Sequence, residues 1–529
     1  MKFRFQKKIG ALLACLAVMP TGLTGVLCAS AEDDTTTFTD NTLTYTKVYG
    51  GVEISDCEKS VSTLTIPQEI DGFPILGIAD EAFLNCGGLT SLTINAKLKS
   101  IGNYAFSGCS ALKEIAFPDS LETIGDCAFY YCTQLEKISL GKNLTDIGDY
   151  AFGYCIALSD VTMADEITAL SQGMFYFDIS MTELNLPKKL ESIGAQCFMG
   201  CDLLEEVTIP ASLRELQPTA FLSCSSIQKF NVEDENTTFS EGENGSLLSE
   251  EGKTLVLYPA GNGETVCQIP EGIVSIEPYA FAGSPTLTSV TLPQSFKGNL
   301  LPEGLFSDCT ALVGVGCDES ALSAIMPRVF AGCKSLKTLD IPENCSGIGD
   351  YAFYGCEAIT EFDVPETVEY LGAYAFFGCD NLNELTVPKG IQVIGDYAVG
   401  FTEPVDGESE ENVLLRKNFV LHGDSASVAK KYADSMGVDF KRTNFNFPLL
   451  FAIVGGVAGI LAVLLLISLL RKAKKNADAK KTIEQEEVVD ENYESILESS
   501  DDETEGDPFD RSYGFTVEDE DDAENDTEE

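Results

Sequence analysis

The chain has 529 residues and a formal net charge of −50, with 84 acidic against 34 basic side chains, one histidine and no tryptophan. A charge of that sign and size repels a polyphosphate backbone and excludes nucleic acid as a partner, leaving cations, basic partners or solubility as its meaning. Eighteen cysteines would ordinarily suggest disulfides in a secreted chain, so their positions have to be weighed.

Residues 1–31 read as a secretory leader. Lys2, Arg4, Lys7 and Lys8 precede the apolar Ile9–Met19, and Ala29-Ser30-Ala31 supplies small residues for cleavage. Leu27 is too bulky to make Cys28 a good lipid-attachment site. Residues 32–77 alternate like strands at Thr42–Thr46, Val52–Ile54 and Leu64–Ile66 without keeping the spacing that follows, as suits an N-terminal cap over the first coil.

From 78 to 401 one unit is copied. Phe83, Phe106, Phe129, Phe152, Phe175, Phe198 and Phe221 recur every 23 residues, and the series resumes at Phe281, Phe306, Phe330, Phe353 and Phe376. Such a period means stacked coils, roughly a dozen of them. In the unit beginning at Ile101, the inward positions are Ile101, Ala105, Phe106, Cys109, Leu112, Ile115, Phe117 and Leu121. Ile115 and Phe117 alternate with Glu114 and Ala116 as a short strand that Pro118 ends. Gly102 is expected to open a tight turn into a helical or 3₁₀ stretch, Asn103–Gly108, on the opposite side. Stacking then gives a parallel sheet on a concave face and short helical turns on a convex one.

The register breaks at 233–265. There, Leu247–Ser249 and Thr254–Tyr258 flank Glu250–Lys253 as a β-hairpin insertion, either a binding loop or a tolerated elaboration. Residues 402–447 form a C-terminal cap, with strands in Val413–Leu421 and a helix over Ala426–Met436 begun at Asp424 or Ser425 and stopped by Gly437. The uncharged run Leu449–Leu470, within 448–470, is long enough to cross a bilayer. Arg471, Lys472, Lys474 and Lys475 follow it and place the C-terminus in the cytoplasm. The remainder of 471–529 is acidic and expected to be disordered, with a cytoplasmic partner as one use for it.

In register, the pattern Ile-Gly-x-x-Ala-Phe-x-x-Cys-x-x-Leu-x-x-Ile-x-Phe-Pro at Ile101–Pro118, with similar runs at Ile193–Pro210, Ile348–Pro365 and Leu371–Pro388, resembles the BspA-like (Treponema-type) leucine-rich repeat surface proteins. Thr63–Pro74, Gly252–Pro259 and Ser427–Gly437 also look like recurrent parts of that family. The fold class expected is therefore an α/β leucine-rich repeat solenoid plus one transmembrane helix and a disordered tail. The resemblance implies a surface protein that binds host or bacterial macromolecules and carries no shared catalytic residues. A Leu-Pro-x-Thr-Gly wall-anchoring signal is absent, which departs from simple wall display.

Cys86, Cys109, Cys132, Cys155, Cys201, Cys224, Cys309, Cys333, Cys356 and Cys379 share one inward position, and Cys197, Cys267, Cys317 and Cys345 fall on others. Buried thiols acting as small hydrophobes explain them better than disulfides between coils, and they fit an anaerobe. No cofactor or metal is expected, since each coil brings one cysteine and no second ligand, and His422 has no evident partner. No nucleophile elbow or phosphate loop is present, so an enzyme is the least favoured reading. Two surfaces are candidates for binding. One is the concave strand face with Glu114, Lys137, Asp160, Glu183, Glu206, Lys229, Glu361 and Glu384. The other is a convex aromatic patch of Tyr130, Tyr131, Tyr154, Tyr176 and Phe177, whose rings either recognise a partner or pack between coils. The expected function is recognition or adhesion by a single-pass plasma-membrane protein of an anaerobic Gram-positive bacterium, with its solenoid outside. Its partner would be a protein or another envelope macromolecule. The alternative is an envelope protein that couples an outer ligand to a cytoplasmic partner through the tail.

Overall fold

The computed structural model describes residues 37–39, 42–337, 339–404 and 413–443. The expected leader, membrane span and acidic tail lie outside them. Among the described residues no helix is long and apolar enough to cross a membrane.

The period of 23 builds a coil with three sides, and about 17 turns of it form a β-solenoid. The first side is the expected strand. Lys137–Leu140 lies parallel to Asp160–Met163, and Glu206–Ile209 lies parallel to Lys229–Val232, each in register over four residues. Farther along, Val266–Gln268, Ser289–Thr291 and Gly314–Gly316 pair in the same sense. The second side is a ladder of two-residue strands at Ser100–Ile101, Thr123–Ile124 and Asp146–Ile147. A strand this short leaves no alternation in the sequence to read.

The third side carries turns where helices were expected. Tyr104, Phe106 and Gly108 donate their N–H groups to Asp126, Ala128 and Tyr130 of the next coil at 2.7–2.8 Å, while Ala105, Ser107 and Cys109 bond within their own coil. A helix would turn every N–H onto its own chain. Here a residue in the left-handed region recurs at every fourth position, Tyr104 at φ 54° and Gly108 at φ 75°, and stops helical propagation. The helices among the described residues are Gln294–Phe296, Glu319–Leu322 and Val428–Met436. The last starts two residues later than expected, after Ser427. Asp424 Oδ1 instead accepts from the Ala426 N–H just upstream.

Gly102 also acts differently from the expectation. Its φ is not positive. A Cβ there would lie 2.5 Å from the Asp80 nitrogen, so a side chain is excluded by the close approach of the preceding coil. Gly125, Gly148, Gly372 and Gly395 meet the backbone behind them in the same way. Beside them, Asp80, Asn103 and Asp126 each accept from the backbone N–H one coil on, at 2.7–2.8 Å.

Inside, the phenylalanines form a column. Phe83, Phe106, Phe129 and Phe152 stack at 4.7, 5.0 and 5.3 Å between ring centres, nearly parallel. The hairpin at 233–265 contributes to this core. Thr254–Leu255 pairs parallel with Ser275–Ile276 in the short ladder, and Tyr258 stacks on Phe281 at 4.7 Å. It thus adds a coil in which tyrosine takes the phenylalanine slot.

Both ends are covered by different devices. At the start, Gly51–Cys57 pairs antiparallel with Leu43–Val48 and parallel with Phe73–Ile78. At the far end, Arg416 donates to the carbonyls of Cys379, Asp380 and Leu382, while Val420–Gly423 pairs parallel with Glu384–Thr386 on one side and Asp439–Arg442 on the other. Tyr432 Oη donates to the Val399 carbonyl and accepts from its N–H.

Candidate functional site

On the strand side all eight predicted residues are exposed. Alternation puts them there, because Ile138, Val207, Phe230 and Leu385 between them are buried. The register brings them together in blocks. Glu114, Lys137 and Asp160 are successive partners, and Lys137 forms an ion pair with Asp160. Glu206 and Lys229 are partners whose charged atoms lie 3.4 Å apart. Glu361 and Glu384 share a register position through the Asp363–Thr386 bridge. Glu183 sits in a segment without strand pairing.

The face is not one charged strip. Along the described strands Val266–Gln268, Ser289–Thr291 and Gly314–Gly316, the aligned positions Val266, Ser289 and Gly314 are uncharged, with Val266 55% exposed. That smooth interval was not singled out in the sequence, although the inward Cys267 beside Val266 gave the signal. His422, expected to lack a partner, makes no hydrogen bond through its buried Nε2, although a Glu384 carboxylate oxygen lies 3.3 Å from it.

The turn side does less than its ring content suggests. Tyr176 is buried, Tyr130, Tyr154 and Phe177 are half-buried, and only Tyr131 is open, at 52% exposure. Tyr154 is the hub. Its ring centre lies 5.4 Å from Tyr130, 5.4 Å from Tyr176 and 5.5 Å from a stacked Phe177. Burial raises the phenol pKa of Tyr130 and Tyr154, which keeps both neutral. Phe177 lies across Gly200 of the next coil, where any Cβ would meet the ring at 2.9 Å. Packing between coils therefore accounts for most of the patch.

A second cluster went unread. Tyr351, Tyr374 and Tyr397 follow one another at 4.9 and 5.3 Å, and Arg328 lies 4.8 Å over the Tyr351 ring. The motif Gly-x-Tyr-Ala-Phe at 349 and 372 was its signal.

All sixteen described cysteines are free thiols. The ladder position is more specific than a small hydrophobe requires. Cys109, Cys132, Cys155 and Cys201 each donate Sγ–H to the carbonyl of Phe83, Phe106, Phe129 and Phe175, 3.2–3.3 Å away on the preceding coil. Burial pushes the Cys309 thiol up to about 12, so it stays protonated and able to donate. Cys317, expected inward, is half-buried, as is Cys127. Cys57 is buried at the start of the ladder. Among the described residues no group of three or more His, Cys, Asp or Glu side chains is arranged to hold a metal ion.

The BspA type leucine rich repeat region matches in six copies over residues 76–178, 168–243, 264–315 and 301–404. Among solved structures, a leucine rich cell surface protein from Faecalibacterium prausnitzii is 27% identical with a TM-score of 0.57, covering 70% of this chain and 97% of that one. A leucine-rich repeat protein from Bacteroides ovatus is 26% identical, with a TM-score of 0.40 and coverage of 67% and 95%. The pneumococcal vaccine antigen PcpA is 19% identical, with a TM-score of 0.43 and coverage of 77% and 99%. No curated protein matches the sequence. With the family's repeat running from 76 to 404 on either side of the hairpin, and its Phe and Cys columns forming the core, the chain belongs to the BspA type leucine rich repeat family.

Proposed function

We propose that this chain is a membrane-anchored extracellular recognition protein that binds a protein partner through the strand face and carries out no catalysis. The observation that carries this reading is the strand face itself: its outward side chains are exposed and held at fixed spacing by parallel pairing, whereas most rings of the turn side are engaged by neighbouring coils. A rigid, periodic polar surface suits a macromolecule better than a small molecule, which needs an enclosed cleft. The Faecalibacterium prausnitzii relative is a cell surface protein, and the leader and the apolar run 448–470 support the same placement here, with the C-terminus in the cytoplasm of an anaerobic Gram-positive bacterium.

The test compares purified full-length chain with two variants for binding to whole cells, cell-wall fractions and matrix proteins. Glu206→Lys combined with Glu384→Lys should weaken binding at least tenfold, while Tyr131→Ala should leave it unchanged. Absence of binding to all three preparations, or equal binding by all forms, overturns the reading. Extraction of native membranes with alkaline carbonate checks the anchor: the chain should stay with the bilayer.

A further inference from the structure

At two coils the cysteine slot, three residues after the column phenylalanine, is filled by another buried polar side chain, Ser284 after Phe281 and Asp178 after Phe175. Asp178 stands 23 residues after Cys155 and 23 before Cys201, in the slot where its neighbours place a thiol. It is fully buried, and neither carboxyl oxygen has a hydrogen-bond partner. Its neighbours in the column give a proton to the phenylalanine carbonyl one coil back. The equivalent acceptor for Asp178 is the carbonyl of Phe152. A carboxylic acid has a proton for it, and a carboxylate would only repel it.

Both other ladders are interrupted at this coil, as they are at further points along the solenoid. On the strand side, Asp160–Met163 pairs only backward and Glu206–Ile209 only forward, leaving 181–188 without a strand between them. On the short-strand side, one sheet ends at Asp146–Ile147 and another starts at Ala169–Leu170. The phenylalanine column has its widest spacing here, 6.0 Å between Phe152 and Phe175. The turn side alone carries on unbroken, with Phe152 and Tyr154 donating to Met174 and Tyr176 at 3.0 and 2.6 Å. One coil therefore combines the column's buried acid, two interrupted ladders and the loosest ring contact.

We propose that this coil is a proton latch: Asp178 keeps it closed as a neutral acid, and loss of that proton opens 164–188 locally while the flanking coils stay folded. The titratable groups that face Asp178 are the thiols of Cys155 on the preceding coil and of Cys197 and Cys201 on the following one, all held protonated by burial. Burial likewise raises the Asp178 pKa well above the usual carboxylate range, opposed only by the backbone of Cys155. The contribution of the closed latch is complete below the unfolded carboxylate pKa near 4 and is lost as pH rises toward the raised native value. Opening it would free the aromatic hub around Tyr154 and Tyr176 from its packing.

Hydrogen exchange of the full-length chain, read by mass spectrometry across pH and corrected for intrinsic rates, tests the latch. Protection in peptides from 164–188 should fall by up to about tenfold per pH unit above pH 4, whereas peptides from 343–404 hold constant. Asp178→Asn, which cannot ionise, and Asp178→Cys, which restores the column, should both give flat profiles; the cysteine variant keeps the test decisive if the amide form does not fold. Profiles for wild type and variants that run parallel overturn the proposal. So does a wild-type loss spread equally over both sets of peptides.

Discussion

Replacing Gly148 with alanine separates two explanations for the repeated glycine by the sign of the result. A Cβ at Gly148 would lie 2.4 Å from the Asp126 nitrogen and 2.4 Å from the Gly125 carbonyl carbon. Reaching ordinary contact requires the two coils to part by roughly 1 Å. That displacement disrupts the bond from the Gly148 N–H to the Ile124 carbonyl, now 2.7 Å, and the one from the Asp149 N–H to Asp126 Oδ1, now 2.8 Å. Overpacking costs about 1–3 kcal/mol and each bond about 1 kcal/mol, so Gly148→Ala should destabilise by about 3–5 kcal/mol. If the glycine served only backbone flexibility, alanine would stabilise by about 0.4–1 kcal/mol at this non-positive φ. Gly141 provides the control, since a Cβ there meets nothing within 4 Å and its φ is not positive. Gly141→Ala should give the small gain. The chain has no tryptophan, so urea unfolding is followed by far-ultraviolet circular dichroism. A Gly148→Ala midpoint at or above wild type would refute close approach as the cause.

Cys356 donates to the Phe330 carbonyl at 3.1 Å, and Cys356→Ala should cost about 1–3 kcal/mol for the orphaned acceptor and the small cavity; an unchanged urea midpoint would count against the thiol as a donor. A disulfide-forming thiol reagent should label the folded chain faster at the half-buried Cys127 and Cys317 than at the buried column, with the column becoming reactive in urea. Arg416→Ala should lower exchange protection around 379–383 by the equivalent of about 1.5–3 kcal/mol, because a guanidinium now serves three carbonyls there. Lys137→Ala should change stability by less than about 1 kcal/mol, since its pairing with Asp160 is exposed and screened; a larger loss would give the surface pairs an unexpected structural weight.

The phenylalanine period made the coil legible, and with it the inward cysteines and the outward Glu114, Lys137 and Glu206. Those features depend on alternation and register, which a single sequence displays. What escaped depends on neighbouring coils. Ser100–Ile101 is too short to show a strand period, and it pairs only because Thr123–Ile124 lies alongside. Tyr104 has no intrinsic preference for the left-handed region, so the turn looked helical until the bonds to Asp126 were seen. The rings of Tyr130, Tyr154, Tyr176 and Phe177 lie together, but which of them lie open depends on distances such as the 5.5 Å from Tyr154 to Phe177. Asp178 was visible in the cysteine register all along; its lack of a partner was not.

The bonds that cross from coil to coil also bear on how the protein acquires its shape. A chain made from its N-terminus would find, for each new coil, acceptors already in place about 23 residues behind, as when Gly125 donates to Ile101 and Cys132 to Phe106. Closing so short a stretch is fast and entropically cheap, and no step has to wait for distant parts of the chain. The Leu43–Cys57 hairpin would act as a template laid down first, each finished coil templating the next, so that growth could run in step with synthesis through to the pairing of Asp439–Arg442 on Val420–Gly423.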